Sequence, residues 1–139
     1  MRRLASILAL LPALAFAADF FIAPGSNYEY MVESASGSNN FYFAPGTYVN
    51  TNGPLTIGAG NAAQLIATGG ASQTWLVAAP TSRVVDASLS AYYVRIEGFT
   101  ITGGDVASGY GGGVLFRNGG RGRLVDCVVT SNRTGTQYG

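Results

Sequence analysis

The chain alternates short apolar groups with turn-forming residues along most of its length. The groups are mostly three or four residues long, rich in β-branched and aromatic types, and bounded by Gly, Pro, Asn, Asp or Ser. This composition is typical of short β-strands separated by turns. The strands predicted in this way are Phe20–Ala23, Phe41–Phe43, Tyr48–Val49, Leu55–Ile57, Gln64–Ala67, Trp75–Ala78, Arg83–Asp86, Tyr93–Ile96, Phe99–Thr102, Val114–Phe116, Arg123–Val125 and Val128–Thr130.

One segment departs from this pattern and favours a helix. Between Asn27 and Ala35, apolar side chains stand at positions 28, 31, 32 and 35, which is the i, i+3, i+4, i+7 spacing of one helical face. Ser26 or Asn27 is suited to cap its first turn. We therefore predict one short helix ahead of the main run of strands.

Two segments in the second half of the chain resemble each other. Ile96–Gly104 and Leu124–Asn132 align without gaps, with apolar residues at the first, fourth and sixth places and threonine at the seventh. The third place is Gly98 in one segment and Asp126 in the other, and both residue types suit a corner. The offset between the segments falls within the periods of roughly 20–50 residues that repeat architectures show. Because the strands are shorter than the ~5–6 residues of most sandwich strands, we predict an all-β solenoid of stacked coils.

The segment between Thr102 and Val114 is rich in glycine. Gly103 and Gly104 stand at its start and Gly111 to Gly113 at its end, where the chain must leave the stack and return. Glycine permits positive φ angles and close backbone approach at such corners. We expect residues 105–110 to form a loop that bulges between them.

The N-terminus has the organisation of a secretory signal peptide. A cationic start is followed by the apolar run Leu4–Phe16 and a small-residue motif, which predicts cleavage between Ala17 and Ala18. The alternative is a membrane anchor, but the run is shorter than the ~20 apolar residues of a spanning helix. We therefore expect a signal peptide over residues 1–17, a mature domain over 18–139 without a transmembrane segment, and a secreted or cell-surface location.

Composition excludes several kinds of chemistry. The chain has no histidine and one cysteine, Cys127, which rules out an internal disulfide, a zinc site of the usual kind, and Ser-His-Asp or Cys-His catalysis. Residues 18–139 carry six arginines and seven acidic residues, so no basic field for nucleic acid is expected. Four arginines gather near the C-terminus; a solvated set of turn residues is favoured over a binding patch. They are Arg117, Arg121, Arg123 and Arg133.

Several motifs resemble a known family. The stretches GFTITGG, GYGGGVLF and GRLVDCVVTSNRTGTQYG, together with FYFAPGTYVN, resemble coils of the right-handed parallel β-helix proteins of the pectin-lyase-like superfamily, in particular repeats of polymorphic outer-membrane and autotransporter-type surface proteins. The resemblance covers about residues 19–139. It implies a right-handed parallel β-helix with an N-terminal capping helix, and we expect further coils and a C-terminal cap beyond Gly139.

The resemblance raises the question of calcium, because lyases of this family use it on clustered aspartates. Asp86, Asp105 and Asp126 are near a coil length apart and could stack on one face. The alignment of the two repeat segments instead places Asp126 opposite Gly98 and gives Asp105 no strand position, which disfavours a shared face. We assign no metal ligand, cofactor or catalytic residue, and calcium stays the alternative.

Three other residues are candidates for surface roles. Tyr110 lies at the tip of the glycine-rich loop and Arg95 lies within a strand, and both could contact a ligand. Asn132 begins an Asn-Arg-Thr glycosylation sequon. Together these observations favour a structural or adhesive surface protein whose loops bind carbohydrate or a cell-surface partner. The alternative is a polysaccharide lyase or glycoside hydrolase with its catalytic coils beyond Gly139.

Overall fold

The computed structural model describes residues 17–88, 92–117 and 121–135, so that all of the predicted signal peptide except Ala17 lies outside the described residues. The described residues form one helix, α1 (Tyr28–Glu33), and a series of short strands. The strands are β1 (Ala18–Ile22), β2 (Gly37–Phe43), β3 (Gly46–Val49), β4 (Leu55–Thr56), β5 (Asn61–Ala67), β6 (Thr74–Val77), β7 (Val85–Asp86), β8 (Tyr93–Glu97), β9 (Thr100–Thr102), β10 (Asp105–Val106), β11 (Val114–Leu115), β12 (Arg121–Val125), β13 (Val128–Val129) and β14 (Arg133–Thr134).

The strands build a parallel β-solenoid of about three turns. A five-stranded sheet has the order β1-β2-β5-β8-β12, a four-stranded sheet β3-β6-β9-β13, a three-stranded sheet β4-β7-β11, and β10 pairs with β14. Every one of these pairings is parallel, and each joins a strand to one from the coil before or after it. The predicted all-β solenoid is confirmed at this level.

The alignment of the two repeat segments is confirmed by the strand register. Leu124 pairs with Ile96 across β12 and β8, and Val129 pairs with Ile101 across β13 and β9. Gly98 and Asp126 occupy equivalent corners, and both have positive φ angles, 73° and 49°. Aspartate is among the few residues with a Cβ that tolerate this region, because its short side chain can hydrogen-bond locally.

Two strands, β10 and β14, were not predicted, and one expectation about them was wrong. Asp105 does have a strand position: it lies in β10 and pairs with Arg133 of β14. Strands of two residues carry no alternating pattern that a sequence could reveal. They are held by backbone bonds, in which Arg133 N–H donates to Gly104 O and Gly135 N–H to Val106 O, both at 2.8 Å.

Glycine is required where the two ends of the 103–113 segment meet. A Cβ added at Gly104 would collide with the carbonyl group of Gly112, and Gly111 has a φ of 63°. The predicted corner role of these glycines is therefore confirmed, although the intervening segment begins as β10 rather than as a loop.

An aromatic cluster occupies the core near the first coils. The ring of Phe43 lies edge-on to three others, with centroid distances of 5.0 Å to Tyr48, 5.1 Å to Phe99 and 6.0 Å to Tyr28. All four side chains are buried. Because aromatic rings favour such edge-to-face contacts, this cluster joins α1 and the coil of β2 and β3 to the coil of β8 and β9, two coils further on.

Helix α1 lies within the segment predicted as helical and packs on the first coils. Val32 is fully buried, and the Tyr28 hydroxyl donates to Asn50 Oδ1 at 2.7 Å. Asn50 Nδ2 in turn donates to Val84 O at 2.7 Å. The helix is therefore anchored in the core by the buried side chains of Tyr28 and Val32 and by buried hydrogen bonds, which include that of Asn61 Nδ2 to Val32 O at 2.9 Å.

The last coil is exposed where earlier coils are buried. Leu124 and Val129 pair with the fully buried Ile96 and Ile101, yet they are 39% and 50% exposed. Among the described residues, no strand follows β12 or β13 in its sheet. The outer edge of this coil thus presents both unpaired backbone and apolar side chains.

Candidate ligand-binding face

The outward side chains of the five-stranded sheet form two rows that cross its strands. Side chains alternate between the two faces of a strand, and neighbouring strands lie ~4.8 Å apart, so residues in register stack at that spacing. One row contains mainly polar side chains: Asp19, Asn40, Gln64, Arg95 and Arg123. The other begins with aromatic side chains: Phe21, Tyr42, Ile66, Glu97 and Val125. We refer to the part of both rows on β1, β2, β5 and β8 as the ligand face.

The aromatic end of the ligand face is open to solvent. Phe21 is 78% exposed and stacks on Tyr42, with ring centroids 5.3 Å apart and planes inclined by 19°. A shallow groove of about 210 Å³ runs beside them and is also lined by Ala44 and Thr68. The paired rings therefore form a flat apolar surface next to a groove.

The polar row begins directly beside this surface. Asn40 Nδ2 donates to Asp19 Oδ1 at 2.8 Å, which fixes the orientation of the amide. Gln64 follows in register on the next strand. A carboxylate and two amides thus supply both donors and acceptors within one or two strand spacings of the aromatic rings.

Arg95 lies on the ligand face, in the row next to Gln64. Its guanidinium forms an ion pair with Glu97 at 2.5 Å, and both side chains are about one-third exposed or less. The Nε atom of Arg95 is buried and has no hydrogen-bond partner among the described residues. The side chain is therefore held in place by Glu97 while its remaining surface faces outward.

Tyr110 lies elsewhere on the coil. It is 44% exposed in the connection between β10 and β11, and its ring centroid lies 5.2 Å from Cζ of Arg117. This arrangement is a cation–π contact. The structure thus places the two predicted ligand contacts apart, with Arg95 in β8 and Tyr110 in the connection between β10 and β11.

The other aromatic residues that the structure describes divide into core and surface. Tyr28 and Tyr48 are buried, and burial raises the pKa of both phenols. They serve the core instead. Phe21, the most exposed aromatic residue of the ligand face, was missed, although the sequence held a signal: in a strand, adjacent Phe20 and Phe21 must point to opposite faces.

The three aspartates considered for calcium lie in different parts of the coil. Asp86 is in β7 and contacts Arg83 at 3.6 Å, Asp105 is in β10, and Asp126 is at the corner between β12 and β13. Across residues 17–88, 92–117 and 121–135, no three His, Cys, Asp or Glu side chains are grouped so as to hold a metal ion.

Asp105 has its own partner in the next coil. Arg133 donates to it through Nε at 2.8 Å and through the terminal nitrogen Nη2 at 2.6 Å. This hydrogen-bonded pair lowers the pKa of the Asp105 carboxyl and raises the pKa of Arg133. The carboxylate is thus engaged in joining two coils.

Asn132 has a structural role at its corner. Its Oδ1 accepts from Gly104 N–H at 2.8 Å, and its Nδ2 donates to Ile101 O at 2.9 Å. A glycan on Nδ2 would have to displace or share that second bond, and glycosylation at this site stays a prediction. Ala17 and Ala18, which flank the predicted cleavage site, are both exposed at the start of the described chain.

No family model matches the chain, and no curated protein or solved structure matches it. Within the described part of the chain, no helix is long and apolar enough to span a bilayer. The fold class rests on the strand pairing described above, and arguments about function rest on the surface of the solenoid itself.

Proposed function

We propose that this protein is an exported β-solenoid that binds a neutral polysaccharide on its ligand face. In this proposal residues 1–17 are removed on export, the solenoid is a right-handed β-helix similar to those of the pectin-lyase-like superfamily, and α1 caps its first coil. The protein then acts as a secreted or surface-attached adhesive rather than as an enzyme.

The observation that carries the proposal is the stacked pair of Phe21 and Tyr42. The two rings are contiguous and lie beside a groove, and a contiguous exposed apolar patch, unlike a single exposed side chain, is typical of a binding surface. The face of an aromatic ring is electronegative, so it attracts the weakly positive C–H groups on the flat side of a sugar ring.

The polar row supplies the contacts that sugar hydroxyls need. A hydroxyl both donates and accepts hydrogen bonds, and the amides of Asn40 and Gln64 offer both functions beside the rings. Because the row crosses the strands at ~4.8 Å steps, an extended polymer can lie along it and make repeated contacts.

The charges on the ligand face favour a neutral polymer. Asp19 and Glu97 are acidic, and Arg95, the one cation in the two rows of this face, is already paired with Glu97. A polymer with a carboxylate on every sugar would therefore meet the negative charge of Asp19 at the aromatic end. Uronate polymers are disfavoured at this face for that reason.

The test is a binding assay with insoluble cellulose and starch as neutral probes and polygalacturonate as the acidic one. We expect the wild-type chain to bind at least one neutral probe, and Phe21→Ala to weaken that binding about tenfold, the size of one lost aromatic contact. Tyr30→Ala is the matched control, because Tyr30 is 68% exposed but lies on α1.

Two outcomes would contradict the proposal. One is equal binding by wild type and Phe21→Ala, and the other is retention on polygalacturonate alone. Release of unsaturated sugars from polygalacturonate would favour the lyase alternative instead.

A further inference from the structure

We propose that Asn52 is a site of spontaneous deamidation, at which the folded chain converts this asparagine to a mixture of aspartate and isoaspartate. Water is the co-reactant and no enzyme is required. The proposal is independent of polysaccharide binding, because Asn52 lies in the connection between β3 and β4 and not on the ligand face.

The residue that follows Asn52 favours the reaction. In deamidation, the backbone nitrogen of the following residue attacks the side-chain carbonyl carbon of the asparagine. Here that residue is Gly53, which has no side chain to obstruct the attack. The chain has one other Asn-Gly pair, Asn118 and Gly119, which lies outside the described residues.

The fold leaves the reacting atoms accessible. Asn52 is exposed to solvent in a bend between two strands. Apart from the adjoining residues, no atom lies within 4 Å of the place that a Cβ of Gly53 would occupy. Gly53 N–H has no hydrogen-bond acceptor among the described residues. The attacking nitrogen is therefore neither covered by neighbouring atoms nor held in a hydrogen bond that would have to break first.

The conversion takes two steps. In the first, Gly53 N loses its proton and bonds to Cγ of Asn52, the bond between Cγ and Nδ2 breaks, and Nδ2 leaves as ammonia with that proton. The product is a cyclic imide. In the second step, water adds to one of the two imide carbonyl carbons and the ring opens. Breaking the bond from nitrogen to Cγ gives aspartate, and breaking the bond from nitrogen to the main-chain carbonyl carbon gives isoaspartate.

Asn50 shows the arrangement that prevents this reaction. Its side chain is buried, with Oδ1 accepting from the Tyr28 hydroxyl and Nδ2 donating to Val84 O, both at 2.7 Å. The next backbone nitrogen, that of Thr51, donates to Glu29 Oε1 at 3.0 Å. The side-chain amide and the attacking nitrogen are thus both held in hydrogen bonds, and we expect Asn50 to remain an amide.

Deamidation would change the contact between α1 and this connection. The Thr51 hydroxyl donates to Glu29 Oε2 at 2.6 Å and accepts from Asn52 Nδ2 at 3.2 Å. A carboxylate has no N–H to donate, so at position 52 it would compete with Glu29 for the one hydroxyl proton. We therefore expect the converted chain to unfold at a lower urea concentration than the fresh chain.

Peptide mapping by mass spectrometry tests the proposal on the wild-type chain. The chain is kept for several weeks at mildly alkaline pH, either folded in buffer or unfolded in guanidinium chloride, and conversion is measured in each asparagine-containing peptide. The rates at Asn52 should agree within about threefold in the two conditions, because the fold does not protect an exposed bend. Asn50 should convert only in the unfolded chain.

Two variants provide the controls. Asn52→Gln keeps an amide but requires a larger ring, so isoaspartate at this position and the fall in urea midpoint on ageing should both disappear. Asn52→Asp should have the lower midpoint before any ageing. Conversion of Asn52 at least tenfold slower in the folded than in the unfolded chain would overturn the proposal. Isoaspartate confined to the peptide of Asn118 would also overturn it.

Discussion

Apolar side chains are buried in the coils next to α1 and exposed in the coil of β12 and β13. At the α1 end, Val32 and Tyr28 are buried against the first coils, whereas at the other end Leu124 and Val129 remain exposed in positions that the previous coil buries completely. Residue type does not explain the difference, since all are apolar or aromatic. What decides burial in a solenoid is whether a coil has a neighbour on both sides.

This difference predicts that stability is concentrated near the α1 end. Phe43→Ala removes the ring at the centre of the aromatic cluster and should lower the free energy of unfolding by about 3–5 kcal/mol. Leu124→Ala removes a half-exposed side chain from the last coil and should cost about 1 kcal/mol or less. Urea denaturation of the two variants measures both values, and losses of equal size would contradict the comparison.

A second prediction concerns the hydrogen bonds that anchor α1. Asn50→Ala leaves the buried Tyr28 hydroxyl without its acceptor and removes one of two donors to Val84 O, which keeps its bond from Leu55 N–H, and it should cost about 1–3 kcal/mol. Asn40→Ala removes an exposed amide that bonds Asp19 and should cost less than about 0.5 kcal/mol. Thermal unfolding compares the two, and a similar shift in melting temperature would show that the buried bonds do not anchor the helix.

The smallest expected effect lies at the exposed end, in the pair of Asp105 and Arg133. Because Arg133 lowers the pKa of Asp105 from its ordinary 3.8, the pair stabilises the fold above that value, and this contribution is lost as pH falls through the lowered pKa. Asp105→Asn should therefore be slightly less stable than wild type at pH 7 and equal to it in strong acid.

Urea midpoints at several pH values measure this difference in stability. In Arg133→Gln, the loss of stability caused by protonating Asp105 should disappear, because the partner that lowers its pKa is gone. If the urea midpoints of wild type and Asp105→Asn still differ in strong acid, the charge of the carboxylate is not what stabilises the pairing of β10 with β14.

Much of the fold could be predicted from the sequence because the strands that build it are apolar. The offset that relates Ile96 to Leu124 is the observed register, and Gly98 and Asp126 are equivalent corners. The pair β10 and β14 escaped prediction because its two-residue strands carry no alternating apolar pattern. The same offset also connects Asp105 with Arg133, so carrying the alignment one position past Gly104 and Asn132 would have found the pair.

The candidate site was less predictable, because it depends on which strands become neighbours. Arg95 was expected to face outward and does, but the chain gives no indication that β1, near the start of the described residues, lies in the same sheet. Phe21 and Tyr42 become a stacked pair only once β1 and β2 are in register. A surface formed by residues of several coils can be predicted from a sequence only when the coils have equal length. The coils of this chain differ in length.

That irregularity has a practical consequence. Phe41 pairs with Leu65, Leu65 with Ile96 and Ile96 with Leu124, so the spacing between partners changes from coil to coil while the strands stay aligned. The connections between strands differ in length from coil to coil, and this accounts for the unequal spacing. Closing a longer connection costs little extra entropy. The exposed tip at Ala107 and Ser108 is therefore a natural place to graft a foreign epitope or affinity tag for display.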